Sequence, residues 1–189
     1  MIGTAHRLRV GAVLAVVALL GTTALAACSP DAASEGWKQL EGERITVEYP
    51  QDWTQGAGSG KKWVLAAETE GASIQVADPY DDSRTAAGAI GSLRLPARLK
   101  LDGYEPGDLR DITVEGADTA LIQTFTYEDG GEPAQGAWII ASQRQPATSV
   151  AVTIAGTEVD QALIGHVTDT LRYEHSDESG PDESMEDDV

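Results

Sequence analysis

Four successive stretches constrain this 189-residue chain more tightly than anything else in it. They read "LRDITVEG" (109–116), "DTALIQTFTYEDG" (118–130), "QGAWIIASQRQ" (135–145) and "ATSVAVTIAG" (147–156). Each has the β-branched, aromatic and alternating character of a strand. The turn signals between them, Asp129-Gly130-Gly131 and Gln145-Pro146, are short. A parallel neighbour needs a crossover of about a dozen residues or more, so short connections predict antiparallel pairing.

Strands are also predicted upstream. "RITVEYP" alternates strictly, with Ile45, Val47 and Tyr49 on one face and Thr46 and Glu48 on the other, and Pro50 ends it. "KKWVLAAE" and "ASIQVAD" follow as a second and third strand, the latter with Ile74 and Val76 inward. The intervening "TQGAGSG" lacks the Gly-Lys-Ser/Thr ending of a phosphate loop and precedes a strand, so it reads as a flexible hairpin loop.

Two helices complete the pattern. In "DDSRTAAGAIGSLRLPARL", Ala86, Ala87, Ile90, Leu93 and Arg94 recur at helical spacing. Asp82 or Ser83 is the expected cap, and Pro96 limits the end. "KLDGYEPGD" after it reads as turns. "TEVDQALIGHVTDTLRY" is predicted as a final helix, capped by Thr157 with Asp160 three residues on. Its apolar stripe is Val159, Leu163, Val167, Thr170 and Leu171, with His166 at the boundary. The order β-β-β-α-β-β-β-β-α predicts an α+β fold, an antiparallel sheet of about six or seven strands flanked by helices.

The opening Trp37…Ile45-x-Val47-x-Tyr49-Pro50-x-x-Trp53, with this order of elements over 37–173, resembles PsbP-like domains. That superfamily includes the extrinsic photosystem protein, the Ran-binding Mog protein and many bacterial lipoproteins. The resemblance implies a central antiparallel sheet with a long final helix, and a non-catalytic binding or assembly role. No stretch matches a Ran-binding or photosystem-binding surface, so neither function carries over.

The N-terminus is of another kind. Arg7 and Arg9 precede an apolar run, Val10–Leu20, and small residues lead to Leu25-Ala26-Ala27-Cys28. A basic start, a core of this length and small residues at its end predict a signal peptide over 1–27. The core is short for a membrane span, which takes about 20 apolar residues. Leu-Ala-Ala-Cys looks like the lipobox of bacterial lipoproteins, which implies that the Cys28 sulfur takes a diacylglyceryl group and becomes the first mature residue. Two acyl chains suffice for stable anchoring. Cys28 is also the chain's single cysteine, so no internal disulfide competes for it. "SPDAASEG" (29–36) then reads as a tether, 37–173 as one domain, and 174–189 as an acidic disordered tail with eight acids and no Lys or Arg.

Two of the thirteen Lys and Arg precede Cys28, leaving eleven against thirty-one acids, a formal −20 for the mature chain. Such a surface argues against a nucleic-acid partner and against lying flat on an anionic leaflet.

No catalytic signature emerges. Beyond the leader the histidines are His166 and His175, too few for a zinc site, so no metal or cofactor is expected. No Gly-x-Ser-x-Gly elbow is present, and a lipidated Cys28 is no nucleophile. Asp78, Asp81 and Asp82 read as turn formers and caps rather than paired catalytic acids. Trp37, Trp53, Trp63 and Trp138 read as core before they read as a binding face. The expected function is a lipid-anchored, extracytoplasmic binding module at the outer face of the cytoplasmic membrane, without enzymatic activity. Its partners are the membrane, through diacylglyceryl-Cys28, and an envelope protein or small ligand. The alternatives are a carrier for an apolar envelope ligand or a hydrolase of unrecognised type.

Overall fold

A computed structural model describes residues 32–175. The strands before the first helix are β1 (Trp37–Glu41), β2 (Ile45–Pro50), β3 (Thr54–Ala57), β4 (Leu65–Glu68) and β5 (Ala72–Asp81). Helix α1 (Ala86–Lys100) follows. Then come β6 (Asp102–Ile112), β7 (Thr119–Asp129), β8 (Glu132–Arg144) and β9 (Ala147–Gly156), helix α2 (Gln161–Thr170) and the short β10 (Arg172–Tyr173). Seven strands form one sheet in the order β3-β4-β5-β9-β8-β7-β6, and β1-β2-β10 form a second. All the paired neighbours are antiparallel. The α+β expectation therefore holds, with the four predicted β-runs as β6 to β9.

The central strands of the large sheet are buried on both faces, while the edge strands β3 and β6 are largely exposed. Along β8, Ala137, Ile139 and Ala141 enter one core and Trp138 and Ile140 the other. Along β9, Val150, Val152 and Ile154 face the first and Ala151 the second. That is the period-two geometry of a strand applied to two apolar layers. The first core is closed by Leu40, Ile45, Val47 and Tyr49 of the small sheet and by Ile164 and Val167 of α2. The second is closed by Ala86, Ala89, Ile90, Leu93 and Ala97 of α1. The order of layers is α1, large sheet, then small sheet with α2.

The Asp129-Gly130-Gly131 turn is a two-residue hairpin loop. Asp129 pairs with Glu132, and Gly130 and Gly131 both have positive φ, 61° and 90°. That conformation closes a twisted hairpin and excludes most side chains.

Several expectations are corrected. Thr54–Ala57, read as flexible loop, forms β3, because backbone pairing with β4 does not require an inward apolar side chain. β1 and β10 were not predicted, being short and weakly alternating. "KLDGYEPGD" is largely the first half of β6, where register shifts accommodate Pro106 and Gly107. Thr85, not Asp82 or Ser83, caps α1, accepting from the Gly88 N–H at 3.2 Å. Pro96 lies inside α1: the carbonyl it cannot pair belongs to exposed Ser92, and the helix resumes with Leu101 N–H to Ala97 O, 2.9 Å. Asp160, not Thr157, caps α2, accepting from Leu163 N–H at 2.7 Å. The later start leaves Leu163 only half-buried and puts Ile164, Val167 and Leu171 in the core.

The ends of the domain also move. Ser34 O accepts from Trp37 N–H at 3.0 Å and Gly36 O from Gln51 N–H at 3.0 Å, so bonding to the domain begins inside the predicted tether. Glu174 N–H bonds Arg44 O at 2.7 Å, and the His175 ring bonds Gly116 O at 2.8 Å, so the first two tail residues are held. Gly116 has φ 82°, and a Cβ there would collide with the Tyr173 carbonyl.

Truncating Ile164 to Ala is expected to cost about 2–5 kcal/mol, the range for a buried aliphatic side chain, and Leu163 to Ala clearly less. Urea unfolding of the two variants decides it, and equal losses would contradict the register of α2. Gly116→Ala is expected to unfold earlier than either surface variant Gly130→Ala or wild type in the same assay, because it combines strained φ with a backbone clash.

Candidate functional site

The chain enters the domain through a buried polar cluster. Glu48, assigned by alternation to the outer face of its strand, is 5 % exposed. One of its oxygens accepts the Ser34 N–H at 2.9 Å, and the other bonds His166 Nε2 at 2.8 Å. The His166 ring stacks on Trp37, centroids 3.4 Å apart and planes within 12°. Burial pushes the Glu48 carboxyl up, but the Ser34 and His166 hydrogen bonds outweigh that, and its pKa lies below the usual 4.5. His166 is thus a boundary residue as the helix pattern implied. Its ring joins α2 to β1 and β2.

A second polar contact pins the two sheets together. Asp78 of β5 is buried and accepts the Arg44 backbone N–H at 2.5 Å, with Arg44 Nη1 at 3.5 Å. Gly42 lies so close that a Cβ there would meet the Asp78 carboxylate. Tyr173 is held nearby, its phenol pushed up to about 12 by burial, which Asp78 and Asp118 reinforce and Arg44 opposes. The structure does not bring the three acids of "DPYDDS" together. Asp81 bonds Ser149 Oγ at 2.5 Å and the Ser83 N–H at 3.0 Å, whereas Asp82 is exposed. Among the described residues no group of three or more His, Cys, Asp or Glu could hold a metal ion.

The tryptophans are dispersed. Trp138 is buried under α1, stacked on Phe125 with centroids 4.4 Å apart. Trp63 packs at the edge of that core, Trp53 against the other, and Trp37 on His166. They form no common face.

The outer side of α1 is the feature that alternation and spacing did not single out. Leu95 and Leu99 are 64 % and 78 % exposed, one helical turn apart and opposite the buried stripe. Leu109 of β6, 48 % exposed, pairs with Gln123, whose side chain Arg94 of α1 holds at 2.5 Å. α1 contains Arg94, Arg98 and Lys100 and no acid at all. Lys62 lies 4.4 Å over the Tyr80 ring, and the Tyr80 hydroxyl bonds Ser92 of α1 at 2.6 Å. Counting Arg84 just before the helix, five of the eleven Lys and Arg beyond residue 28 stand on or beside this element. The signal was present as an acid-free helix in an acidic chain.

A shallow, half-open cleft of about 310 Å³ lies by β6, β7 and the start of α2, lined by Glu105, Pro106, Gly107, Thr124, Thr126 and Gln161 among others. Its lining mixes these polar groups with Pro106 and Phe125, and it is shallow and half-open rather than the deep apolar pocket a carrier needs. Cys28, the 1–27 leader, the first part of the tether and residues 176–189 lie outside the described residues. No helix among the described residues is long and apolar enough to cross a membrane.

No protein-family model matches the chain, and no curated protein matches it. Among solved structures, LpqN of Mycobacterium tuberculosis, described as involved in cell envelope biogenesis, is similar with a TM-score of 0.50 at 14% identity, over 74% of this chain and 91% of that one. A Pseudomonas aeruginosa protein of unknown function, PA94, described as a candidate regulator, matches with a TM-score of 0.37 at 18% identity, over 69% of this chain and 87% of that one. At such identities the likeness to LpqN is one of fold.

The Glu48 cluster predicts an acid dependence. A carboxyl whose folded pKa is depressed contributes stability that is present above the unfolded pKa and lost as pH falls through the folded one. Thermal stability should therefore decline below about pH 4.5, and Glu48→Gln should flatten that part of the profile. Tyr173 acts at the other end. Its raised pKa contributes stability below about pH 10 that is lost towards 12. Spectrophotometric titration should show one of the five tyrosines ionising last, and Tyr173→Phe should remove that step.

Proposed function

We propose that this is a lipid-anchored envelope protein, held at the outer face of the cytoplasmic membrane through Cys28, whose domain binds a partner and catalyses nothing. The observation that carries the binding reading is the outer side of α1. Leu95 and Leu99 stand exposed one turn apart with Arg94, Arg98 and Lys100 about them, apolar groups within a polar rim, which is the make-up of an interaction site. Around them the charge is reversed relative to the chain, which gives a partner of acidic character a place to approach a body of net −20. The Leu-Ala-Ala-Cys run supports the anchor, and the fold shared with LpqN supports an envelope setting. The domain is read as a PsbP-like variant with one strand added after the final helix. The antiparallel sheet between helices supports that reading, and so does the Tyr49-Pro50-x-x-Trp53 corner.

The non-catalytic reading rests on how the reactive side chains are engaged. His166 is committed to Glu48 and Trp37, and Asp78 to Arg44. A hydrolase needs a nucleophile, a base and an oxyanion stabiliser within reach of one another. Tethering supplies what weak contacts lack, because confinement at a surface raises the effective concentration for neighbours.

Three measurements test this. Labelled fatty acid should enter the wild-type protein and not Cys28→Ala, and equal labelling of both would end the anchor claim. A photo-crosslinker at position 99 should give a discrete adduct in native membranes, lost in Arg98→Glu and absent when the crosslinker sits at Gln55 of β3. Reproducible turnover of esterase, peptidase, glycosidase or phosphatase substrates, abolished by a single carboxylate or His166 substitution, would replace the binding reading with an enzymatic one.

A further inference from the structure

The α1 face has a candidate occupant within the chain itself. The last described residue is His175, whose ring bonds Gly116 O at 2.8 Å. Three residues on in the same loop, Thr119 Oγ1 accepts the N–H of Ala86, the first residue of α1, at 3.0 Å. Three peptide steps reach at most about 11 Å, so the chain leaves the domain within about 17 Å of the start of α1. Helix α1, at about 1.5 Å per residue, is about 22 Å long. Residues 176–189 can extend to about 48 Å. They therefore reach the full length of the helix with slack.

Charge matches along that path. Residues 176–189, "SDESGPDESMEDDV", carry seven acids and no Lys or Arg. In extended chain Asp182 and Glu183 fall about 23–29 Å from His175 and Glu186, Asp187 and Asp188 about 36–44 Å, whereas Arg94 stands within about 29 Å and Arg98 and Lys100 within about 35–38 Å once the approach to α1 is included, so the acids reach all three cations. The first turn of α1 contains no acid, so its N-terminal dipole has no carboxylate within the helix. Met185 and Val189 are the apolar residues among the acids, and Leu95 and Leu99 are the apolar residues among the cations. Acids already on this side are Asp82 and Asp102 at the ends of α1 and Asp111 on β6, opposite Leu121.

We propose that residues 176–189 dock in cis along the outer face of α1, acids on Arg94, Arg98 and Lys100 and Met185 against Leu95 and Leu99, and so compete with any external partner for that face. This rests on the reading of α1 as the interaction surface. Its charged contacts are exposed and individually weak. A tethered segment meets its site at an effective concentration in the millimolar range, so millimolar affinity in trans is enough for occupancy in cis.

The test uses the chain from Ser29 onward, which contains both cores whole. Amide NMR spectra of residues 29–189 and 29–175 are compared at low salt. Shifts should concentrate on Gly88, Gly91, Ser92, Leu95, Arg98 and Leu99, and shrink severalfold in 0.5 M salt. A synthetic 176–189 peptide added to 29–175 should move the same amides in the same directions, and should bind Arg98→Glu/Lys100→Glu at least tenfold more weakly. Identical α1 amides with and without the tail would overturn the proposal. So would equal peptide binding by the charge-reversed protein. If 29–175 alone bound vesicles of phosphatidylglycerol and phosphatidylcholine through the same amides, unaffected by the tail, α1 would be a membrane face instead. The crosslinking at position 99 is independent. It should strengthen when the anchored chain, with Cys28 retained, ends at His175, and an adduct with no α1 shifts on tail removal would reject the tail while retaining the surface.

Discussion

Everything in this domain depends on a sheet that has no solvent face over its central strands. β8 and β9 alternate between two apolar layers, so a one-residue slip would exchange Ile139 and Val152 with Ile140 and Ala151 and mis-size both cores at once. The two cores are unlike. The one beneath the small sheet and α2 is built of Ile and Val, with Leu40 and Tyr49, whereas the one beneath α1 combines alanines with Trp138, Phe125 and Tyr80. Small residues on α1 let the helix lie close to large rings on the sheet. That interlocking fixes which side of the helix is inward and leaves Leu95 and Leu99 outward.

The small sheet is tied down by polar contacts as much as by packing. Asp78 reaches from β5 to the backbone of Arg44 in the turn between β1 and β2. Glu48 reaches the entering chain at Ser34 and α2 at His166. β10 closes the second edge of β2, and its neighbour Gly116 approaches the Tyr173 backbone too closely for any side chain. Buried polar groups of this kind are costly unless paired. The pairs are therefore specific, and they determine where both ends of the chain enter and leave the domain.

Much of the architecture was legible because local patterns and tertiary demand agree. "DTALIQTFTYEDG" and "ATSVAVTIAG" carry the alternation that burial on two faces requires, and the Gly130-Gly131 turn can close only one kind of hairpin. What failed was decided elsewhere. β3 has no apolar pattern to read, because it is recruited by backbone pairing to β4. Pro106 and Gly107 look like a turn in isolation, yet β6 tolerates them as an edge strand with shifted register. Thr157 and Asp160 are both chemically competent caps, and packing of Ile164 chooses between them. Glu48 reads as solvent-facing because alternation cannot foresee that α2 and the N-terminal segment will cover that face.

The site follows the same division. Composition alone placed the chain at net −18, or −20 once residues 1–27 are set aside, and implied that charge would repel anionic surfaces. Charge, however, acts locally, over a Debye length of about 8–10 Å at physiological salt. The fold collects Lys62, Arg84, Arg94, Arg98 and Lys100 on or beside one acid-free helix, with Asp82 and Asp102 only at its ends. A partner approaching α1 meets a field opposite in sign to the one composition predicts. In a molecule so strongly of one sign, the small region of the other sign is where recognition can be selective. Its leucines then make the contact more than electrostatic, because apolar burial does not fade with salt and can hold a partner after charge has steered it there.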